Sequence, residues 1–195
     1  VLLEQPANLE QLLNAAPQAQ FVLFSSADVS AQASNLSIIR VRPENQAFLA
    51  GYISELVSTD WRAAGLLPDE TLSEAFLAGG RYWCGRCTPI YPPLVLFPIT
   101  GVLPGGSGAG EWQTALNALQ QKVTEVIYLS PEASSNNLID YAADQKLRIV
   151  GSLPPPVEAT AQWVATVQVD ELASLREMLP DLLAGQGGKR VNAAL

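Results

Sequence analysis

The chain has 195 residues, of which 48% are hydrophobic and 15% charged, so it can form one ordinary domain or two small lobes with a substantial core. Its 19 acidic and 11 basic residues give a formal net charge of -8, which disfavours binding to nucleic acid or anionic lipid. The absence of histidine excludes Ser-His-Asp and Cys-His triads and the commonest zinc sites. No apolar stretch reaches the roughly 18 to 20 residues of a membrane-spanning helix.

Apolar segments of strand length alternate with amphipathic segments of helix length, which is typical of an α/β fold with parallel sheets flanked by helices. The pattern predicts helices over residues 8–15, 44–58, 71–82, 111–122 and 136–145 and a final helix from about Asp170 to Gly185. It predicts strands over residues 20–25, 37–41, 61–67, 91–97, 124–130, 147–153 and 163–169.

Local signals refine these elements. Gly51 is expected to let its helix approach a neighbour closely, and Thr71 with Glu74 has the spacing of a capping box. The glycine-rich segment Pro104 to Gly110 lacks the features of a phosphate-binding loop and is predicted to be a connection. The closing residues after Gly185 are predicted to be a tail or a chain cut short.

Polar side chains follow several predicted strands. In an open α/β sheet, ligands bind beyond the carboxyl ends of the strands. The candidate ligand-binding residues there are Ser25, Ser26, Asp28, Asp69, Glu70, Ser130, Ser134, Asn136 and Ser152. They suit hydrogen bonding to a small polar molecule better than catalysis, because no base and nucleophile pair stands out. The same residue types are common in turns and at helix N-caps, so a structural role stays open for each.

Cys84 and Cys87 form a CGRC motif, which can be a redox dithiol, half of a metal site or a small disulfide. A zinc site would need two more soft ligands that the chain lacks, so no metal is predicted. A thioredoxin-like motif would open a helix after a strand. Here the apolar segment Ala75–Ala78 precedes the motif and a proline-rich stretch follows it, which places the motif at a helix end. This position favours a structural disulfide or an unreactive pair of cysteines over redox chemistry.

Several segments together resemble one known family. They include PENQAFLAGYISELVSTDWRAAGLLPDE from Pro43, TLSEAFLAGGRYW from Thr71, LNALQQKVTEVIYLSP from Leu116, RIVGSLPP from Arg148 and WVATVQVDELASLREMLPDLLAGQGG from Trp163. The chain is similar over residues 14–188 to the basic membrane lipoprotein family, which comprises substrate-binding proteins of ABC transporters with the type I periplasmic-binding-protein fold. The resemblance implies two α/β lobes, one of them incomplete, because the amino-terminal part of the family has no counterpart here.

The residues that bind nucleosides in this family are not matched. Leu153 and Val169 or its neighbour stand where nucleoside-binding members have Asp and Lys, and Glu132, Ala133 and Ser134 replace glycines. A nucleoside ligand is therefore not expected. We expect the protein to bind another small polar molecule instead. In the extracytoplasmic setting that the resemblance implies, Cys84 and Cys87 are expected to be oxidised.

The resemblance predicts a division into residues 1–42 of a first lobe, residues 43–160 as a second lobe, and residues 161–195 returning to the first. The leading hypothesis is an extracytoplasmic solute-binding protein of an ABC-type importer, lipid-anchored in its full-length form. It would bind its ligand between two lobes, contact an ABC permease, and need neither a cofactor nor catalysis. The alternatives are a ligand-sensing or protein-interaction module of the same fold and a dithiol oxidoreductase built on CGRC.

Overall fold

A computed structural model describes residues 1–195, apart from the side chain of Glu171. The chain forms two compact units. The first consists of Val1–Pro43 and Val169–Leu195, and the second of Glu44–Gln168. The helices are α1 (Leu9–Ala15), α2 (Pro43–Val57), α3 (Glu70–Cys84), α4 (Ala109–Gln120), α5 (Asn136–Asp144) and α6 (Glu171–Leu183). The strands are β1 (Phe21–Ser25), β2 (Leu36–Arg40), β3 (Ala63–Leu67), β4 (Ile99–Val102), β5 (Val126–Leu129), β6 (Arg148–Gly151), β7 (Trp163–Thr166) and β8 (Arg190–Asn192).

The first unit is a parallel sheet in the order β1-β2-β8 with a helix on each face. Because side chains alternate along a strand, Leu23 and Ile38 pack against α1, whereas Val22, Phe24 and Ile39 pack against α6. The closing segment is therefore not a tail, since β8 pairs with β2 in the register Ile38 to Arg190. Strand β8 has one central apolar residue, Val191, which packs on the α6 face of the sheet. A single apolar residue is too weak a pattern to predict a strand.

The second unit has a parallel sheet in the order β4-β3-β5-β6-β7, covered on both faces. Burial on both faces explains why the central strands are almost wholly apolar. One face carries α4 and α5, through residues such as Trp112, Leu116 and Leu138. The other carries α2 and α3, where the rings of Phe76 and Tyr128 stack with their centroids 5.7 Å apart. The predicted α/β class with parallel sheets is confirmed.

Helices α2 and α3 touch backbone to backbone through glycines. A Cβ atom at Gly51 would collide with the carbonyl group of Phe76, and one at Gly79 would collide with the carbonyl group of Phe48. The close approach expected at Gly51 is therefore confirmed.

Two predicted elements near α3 differ from the structure. The segment Tyr91–Phe97 is irregular, and the strand follows it as β4. Proline at positions 92, 93 and 98 has no N–H to give to a sheet, and Phe97 instead makes an isolated bridge to Cys87. The cap of α3 is Asp69 and not Thr71, because the Asp69 carboxylate accepts a hydrogen bond from the Leu72 N–H at 2.8 Å.

The family resemblance predicts that the strand over residues 163–169 belongs to the segment that returns to the first lobe. In the structure it is β7, which ends at Thr166 and pairs with β6 in the sheet of the second unit. The chain re-enters the first unit at Val169, just before α6.

We expect Gly79→Ala to lower the free energy of unfolding by about 2 kcal/mol or more, because the added methyl group overlaps the Phe48 backbone. The matched control is Gly110→Ala in the first turn of α4, where an added Cβ meets no atom within 4 Å. It should leave stability unchanged or raise it slightly. Urea unfolding followed by circular dichroism measures both, and equal midpoints for the two variants would contradict the assigned contact.

Candidate functional site

The carboxyl ends of β3, β5 and β6 lie side by side at one edge of the second unit's sheet, because the three strands are neighbours and parallel. The helix that follows β3 packs on one face of the sheet, whereas the helix that follows β5 packs on the other. The strand ends of β3 and β5 are thus a topological switch point, where the two connections diverge to opposite faces, and ligands of open α/β sheets bind at such points. Six of the predicted ligand residues follow these three strands.

Three of the six form a serine cluster, defined as Ser130, Ser134 and Ser152. The Ser134 hydroxyl lies 2.8 Å from the Ser130 carbonyl oxygen, to which it donates, and 3.1 Å from the Ser152 hydroxyl. Ser130 and Ser152 are buried. Within the described part of the chain the Ser130 hydroxyl oxygen has no hydrogen-bond partner. A buried hydroxyl group without a partner is costly, which makes it a candidate to bind a polar ligand.

The other three residues at this edge are exposed and belong to helix starts. Asp69 caps α3, Glu70 is the first residue of α3, and Asn136 is the first residue of α5. Asp69 and Glu70 therefore have a structural role, since acidic residues at a helix start interact favourably with its dipole. Such a role leaves an oxygen of each carboxylate free to accept hydrogen bonds from a ligand.

The remaining candidates, Ser25, Ser26 and Asp28, lie in the first unit. Ser25 ends β1, and its hydroxyl donates to the carbonyl oxygen of Ala27 at 3.0 Å. Ser25 and Ser26 line a cavity of about 370 Å³. Asp28 does not line that cavity but forms an ion pair with Arg40 at 2.8 Å, beside a smaller hollow of about 170 Å³.

Sequence reasoning missed two basic side chains and one amide side chain of the first unit. Arg40, Arg190 and Asn192 line the same hollow as Asp28. The Arg190 guanidinium donates to the carbonyl oxygens of Val29 and Ala31 at 2.9 and 2.8 Å, so it holds the loop after β1 in place. Arg190 and Asn192 were missed because β8 was assigned as a tail, and only the alternation of polar and apolar residues around Val191 indicates the strand.

The CGRC motif lies at the other end of the second unit's elements. Cys84 is the last residue of α3, as predicted, and it forms a disulfide with Cys87. Cys84 is half-buried and Cys87 is buried. The negative end of the helix dipole disfavours a thiolate at Cys84, which argues against the dithiol oxidoreductase alternative.

A buried carboxyl group, Glu55 of α2, lies beside this disulfide. Its carboxylate oxygens have no hydrogen-bond partner within the described residues. Burial, with a smaller contribution from the charge of Glu125, raises the pKa of the Glu55 carboxyl to about 8. Glu125 behaves in the opposite way. Burial alone would raise its pKa, but hydrogen bonds from Thr59, Arg148 and Ser58 lower it below its ordinary value.

Comparison with known proteins identifies the fold. Neither protein-family models nor curated protein sequences give a match. Among solved structures, the chain is similar to an ABC transporter solute-binding protein from Conexibacter woesei DSM 14684, with a TM-score of 0.69 and 14% identity over 94% of this chain and 60% of that one. It is also similar to a transcriptional activator of the comK gene from Bacillus halodurans, with a TM-score of 0.64 and 15% identity over 93% and 62% of the two chains.

A third similar structure is a periplasmic sugar-binding protein of an ABC sugar transporter from Legionella pneumophila, with a TM-score of 0.57 and 10% identity over 100% and 76% of the two chains. The chain thus has a type I periplasmic-binding-protein-like fold. It spans about three fifths of the length of the first two of these proteins. In the described part of the chain, no helix is long and apolar enough to cross a membrane.

We expect Asp69→Ala to lower the free energy of unfolding by about 1 kcal/mol, because the first turn of α3 loses its side-chain cap. Asp69→Asn keeps an oxygen that accepts from the Leu72 N–H, so it should retain most of the stability. Urea unfolding of the two variants separates the capping role of Asp69 from a role in ligand binding. Equal losses in both variants would show that charge, and not the cap, is what Asp69 contributes.

The raised pKa of Glu55 predicts a pH-dependent stability. The folded state holds a proton up to about pH 8 that the unfolded state releases near its ordinary pKa of 4.5, so stability falls as the pH rises between these values. The measurement is made with the disulfide intact and with a chelator that removes stray metal ions. Under these conditions Glu55→Gln should abolish the loss of stability. Its free energy of unfolding should rise relative to that of the wild type by roughly 1 kcal/mol per pH unit over that range. Urea unfolding at pH 5, 6.5 and 8 measures the difference, and a constant difference would mean that Glu55 ionises normally.

Proposed function

We propose that the chain is the ligand-binding part of an ABC-type importer's solute-binding protein and that it binds a small polar molecule without catalysis. The observation that carries this proposal is the serine cluster at the carboxyl ends of β5 and β6, beside the switch point. Its buried Ser130 hydroxyl has no hydrogen-bond partner in the described part of the chain. The fold is shared with solute-binding proteins, which supports the proposal, although fold alone does not establish function.

The chemistry of the site defines the ligand class. The serine cluster both donates and accepts hydrogen bonds, and the carboxylates of Asp69 and Glu70 accept them. Such a set suits a neutral molecule with several hydroxyl or amide groups, or a cationic one. Phosphates and carboxylates are disfavoured, because Asp69 and Glu70 would repel them. Binding to Ser130 would also give a partner to a buried hydroxyl group that has none among the described residues.

The location and partners follow from this proposal. A solute-binding protein works outside the cytoplasm and delivers its ligand to an ABC permease, and the Cys84–Cys87 disulfide fits an oxidising compartment. Membership of the basic membrane lipoprotein family and a lipid anchor on the full-length protein belong to the same proposal and rest on the sequence resemblance. Ser25, Ser26 and Asp28 of the first unit also stay proposed ligand residues, beside the cavities that they line.

A second candidate is a ligand-sensing module that signals to a protein partner. The specific observation in its favour is the similarity to a transcriptional activator, at a TM-score of 0.64. The two candidates need the same ligand site and differ in the partner. Genes for a permease and an ATPase beside this gene would favour transport, whereas a DNA-binding segment joined to this chain would favour sensing.

We expect Ser130→Ala and Ser152→Ala each to weaken ligand binding about tenfold, the value of one hydrogen bond. A panel of monosaccharides, polyols and cationic amino acids is tested by isothermal titration calorimetry, and the variants are compared on whichever molecule binds. Ser130→Ala should leave the unfolding midpoint unchanged, because the hydroxyl has no partner in the described part of the chain. A loss of affinity without a loss of stability is the signature of a binding residue.

The matched control is Thr88→Val, which removes a hydroxyl group from an exposed residue in the segment before β4, away from the carboxyl ends of the strands. It should bind as the wild type does. If no member of the panel binds at millimolar concentration, or if Ser130→Ala and Ser152→Ala bind with wild-type affinity, the proposed site is wrong.

A further inference from the structure

The Cys84–Cys87 pair has no part in the proposed ligand site, yet it has a specific partner. The two sulfur atoms and a carboxylate oxygen of Glu55 all lie within 4.8 Å of one another. Glu55 comes from α2, whereas Cys84 ends α3 and Cys87 follows it. The backbone contact between α2 and α3 brings this cluster together, so it is invisible in the spacing of the sequence.

Glu55 is the unusual member of the cluster. It is fully buried, with 0% of its surface exposed, and both carboxylate oxygens lack a hydrogen-bond partner within the described residues. Burial of a carboxyl group without a partner is unfavourable, and a glutamine or an apolar residue would avoid the cost of a charge. A group kept there at such cost is expected to have a partner in another state of the protein.

Gly80 provides the space that Glu55 occupies. A Cβ atom at Gly80 would lie 3.0 Å from the Cγ atom of Glu55 and 2.6 Å from the Cγ atom of Pro98. Any other residue at this position would therefore crowd the glutamate side chain beside the sulfur atoms. The missing side chain at Gly80 thus leaves room for the Glu55 carboxyl group near the disulfide.

Two sulfur ligands in a Cys-x-x-Cys arrangement and one carboxylate oxygen form a donor set that suits zinc and similar divalent ions. The positive charge of the ion would also offset the charges of Glu55 and of the two thiolates, which the buried surroundings otherwise disfavour. The sulfur atoms are available only when the disulfide is reduced. The sequence-based objection to a metal site, which was the lack of further soft ligands, does not consider a glutamate brought in by another helix.

We propose that Glu55, Cys84 and Cys87 form a binding site for one zinc-like divalent cation when the Cys84–Cys87 disulfide is reduced. The oxidised protein does not bind the ion, because its sulfur atoms are joined to each other. The site therefore makes metal binding depend on the redox state of the protein. It is independent of the proposed ligand site, which lies beyond the carboxyl ends of the strands.

The chemistry balances with a phosphine as the reductant. The phosphine and one water molecule convert the disulfide to two thiols, and the phosphine is oxidised to its phosphine oxide. The divalent ion then displaces one proton from each thiol and one from the Glu55 carboxyl group. Three protons enter the solution for each ion bound, and no further oxidant or reductant is needed.

The test is a cobalt titration of the whole chain, reduced with a phosphine under anaerobic conditions. Cobalt(II) reports thiolate ligands through its charge-transfer absorption, and zinc displaces it in competition. We expect the reduced wild type to bind one equivalent, the oxidised protein to bind none, and the Cys84→Ser/Cys87→Ser double variant to bind none. Glu55→Gln should weaken binding about tenfold or more, because a neutral amide oxygen replaces the anionic carboxylate as the ligand.

The control is Glu74→Gln, which replaces an exposed glutamate of α3 and should bind cobalt as the wild type does. Glu55→Gln keeps the size and neutrality of the protonated carboxyl group, so it is expected to fold, and circular dichroism checks this. The absence of thiolate–cobalt absorption in the reduced wild type would overturn the proposal. Equal cobalt affinities of Glu55→Gln and wild type would do so as well, since two thiolates alone would then account for binding.

Discussion

The organisation of the second unit depends on one constraint, namely that its five strands are parallel and are covered by helices on both faces. Strands buried on both sides must be apolar along their length, so polar chemistry is confined to the two edges where strands begin and end. At the edge of the carboxyl ends, the connections after β3 and β5 leave to opposite faces of the sheet. The serine cluster lies there because Ser130 and Ser152 are the first residues after β5 and β6.

The cluster of Glu55, Cys84 and Cys87 follows from the same layering. Helix α3 returns from the carboxyl end of β3 towards the start of β4, and α2 ends shortly before β3 begins. The ends of both helices therefore lie towards the opposite edge of the sheet. Their close contact, which requires Gly51 and Gly79, brings a buried carboxyl group against a disulfide. One sheet thus positions the two proposed sites at opposite ends of its strands, the serine cluster at the carboxyl ends and the Glu55, Cys84 and Cys87 cluster towards the other end.

Many features of the fold could be predicted from the sequence. Strand-length apolar runs and amphipathic segments predict the α/β class and most of the elements, because the period of a buried face is a local property. Gly51 predicts a close helix contact, and the surroundings of CGRC predict the end of a helix. The strand predicted over Tyr91–Phe97 was wrong because hydrophobicity outweighed the missing N–H groups of its prolines. The strand β8 was missed because a three-residue strand gives almost no periodic signal.

The sequence by itself determined the residue types available to this protein: no histidine, a single pair of cysteines, and serine and acidic residues after the strands. It also determined which of those residues follow a strand, and this made the candidate ligand residues predictable. Only the tertiary structure decided which residues meet. The order of the strands joins Ser134 to Ser152, and the packing of α2 on α3 joins Glu55 to Cys84, across 18 and 29 positions of the chain. Local periodicity contains no information on such contacts, since they depend on how whole helices and strands pack together.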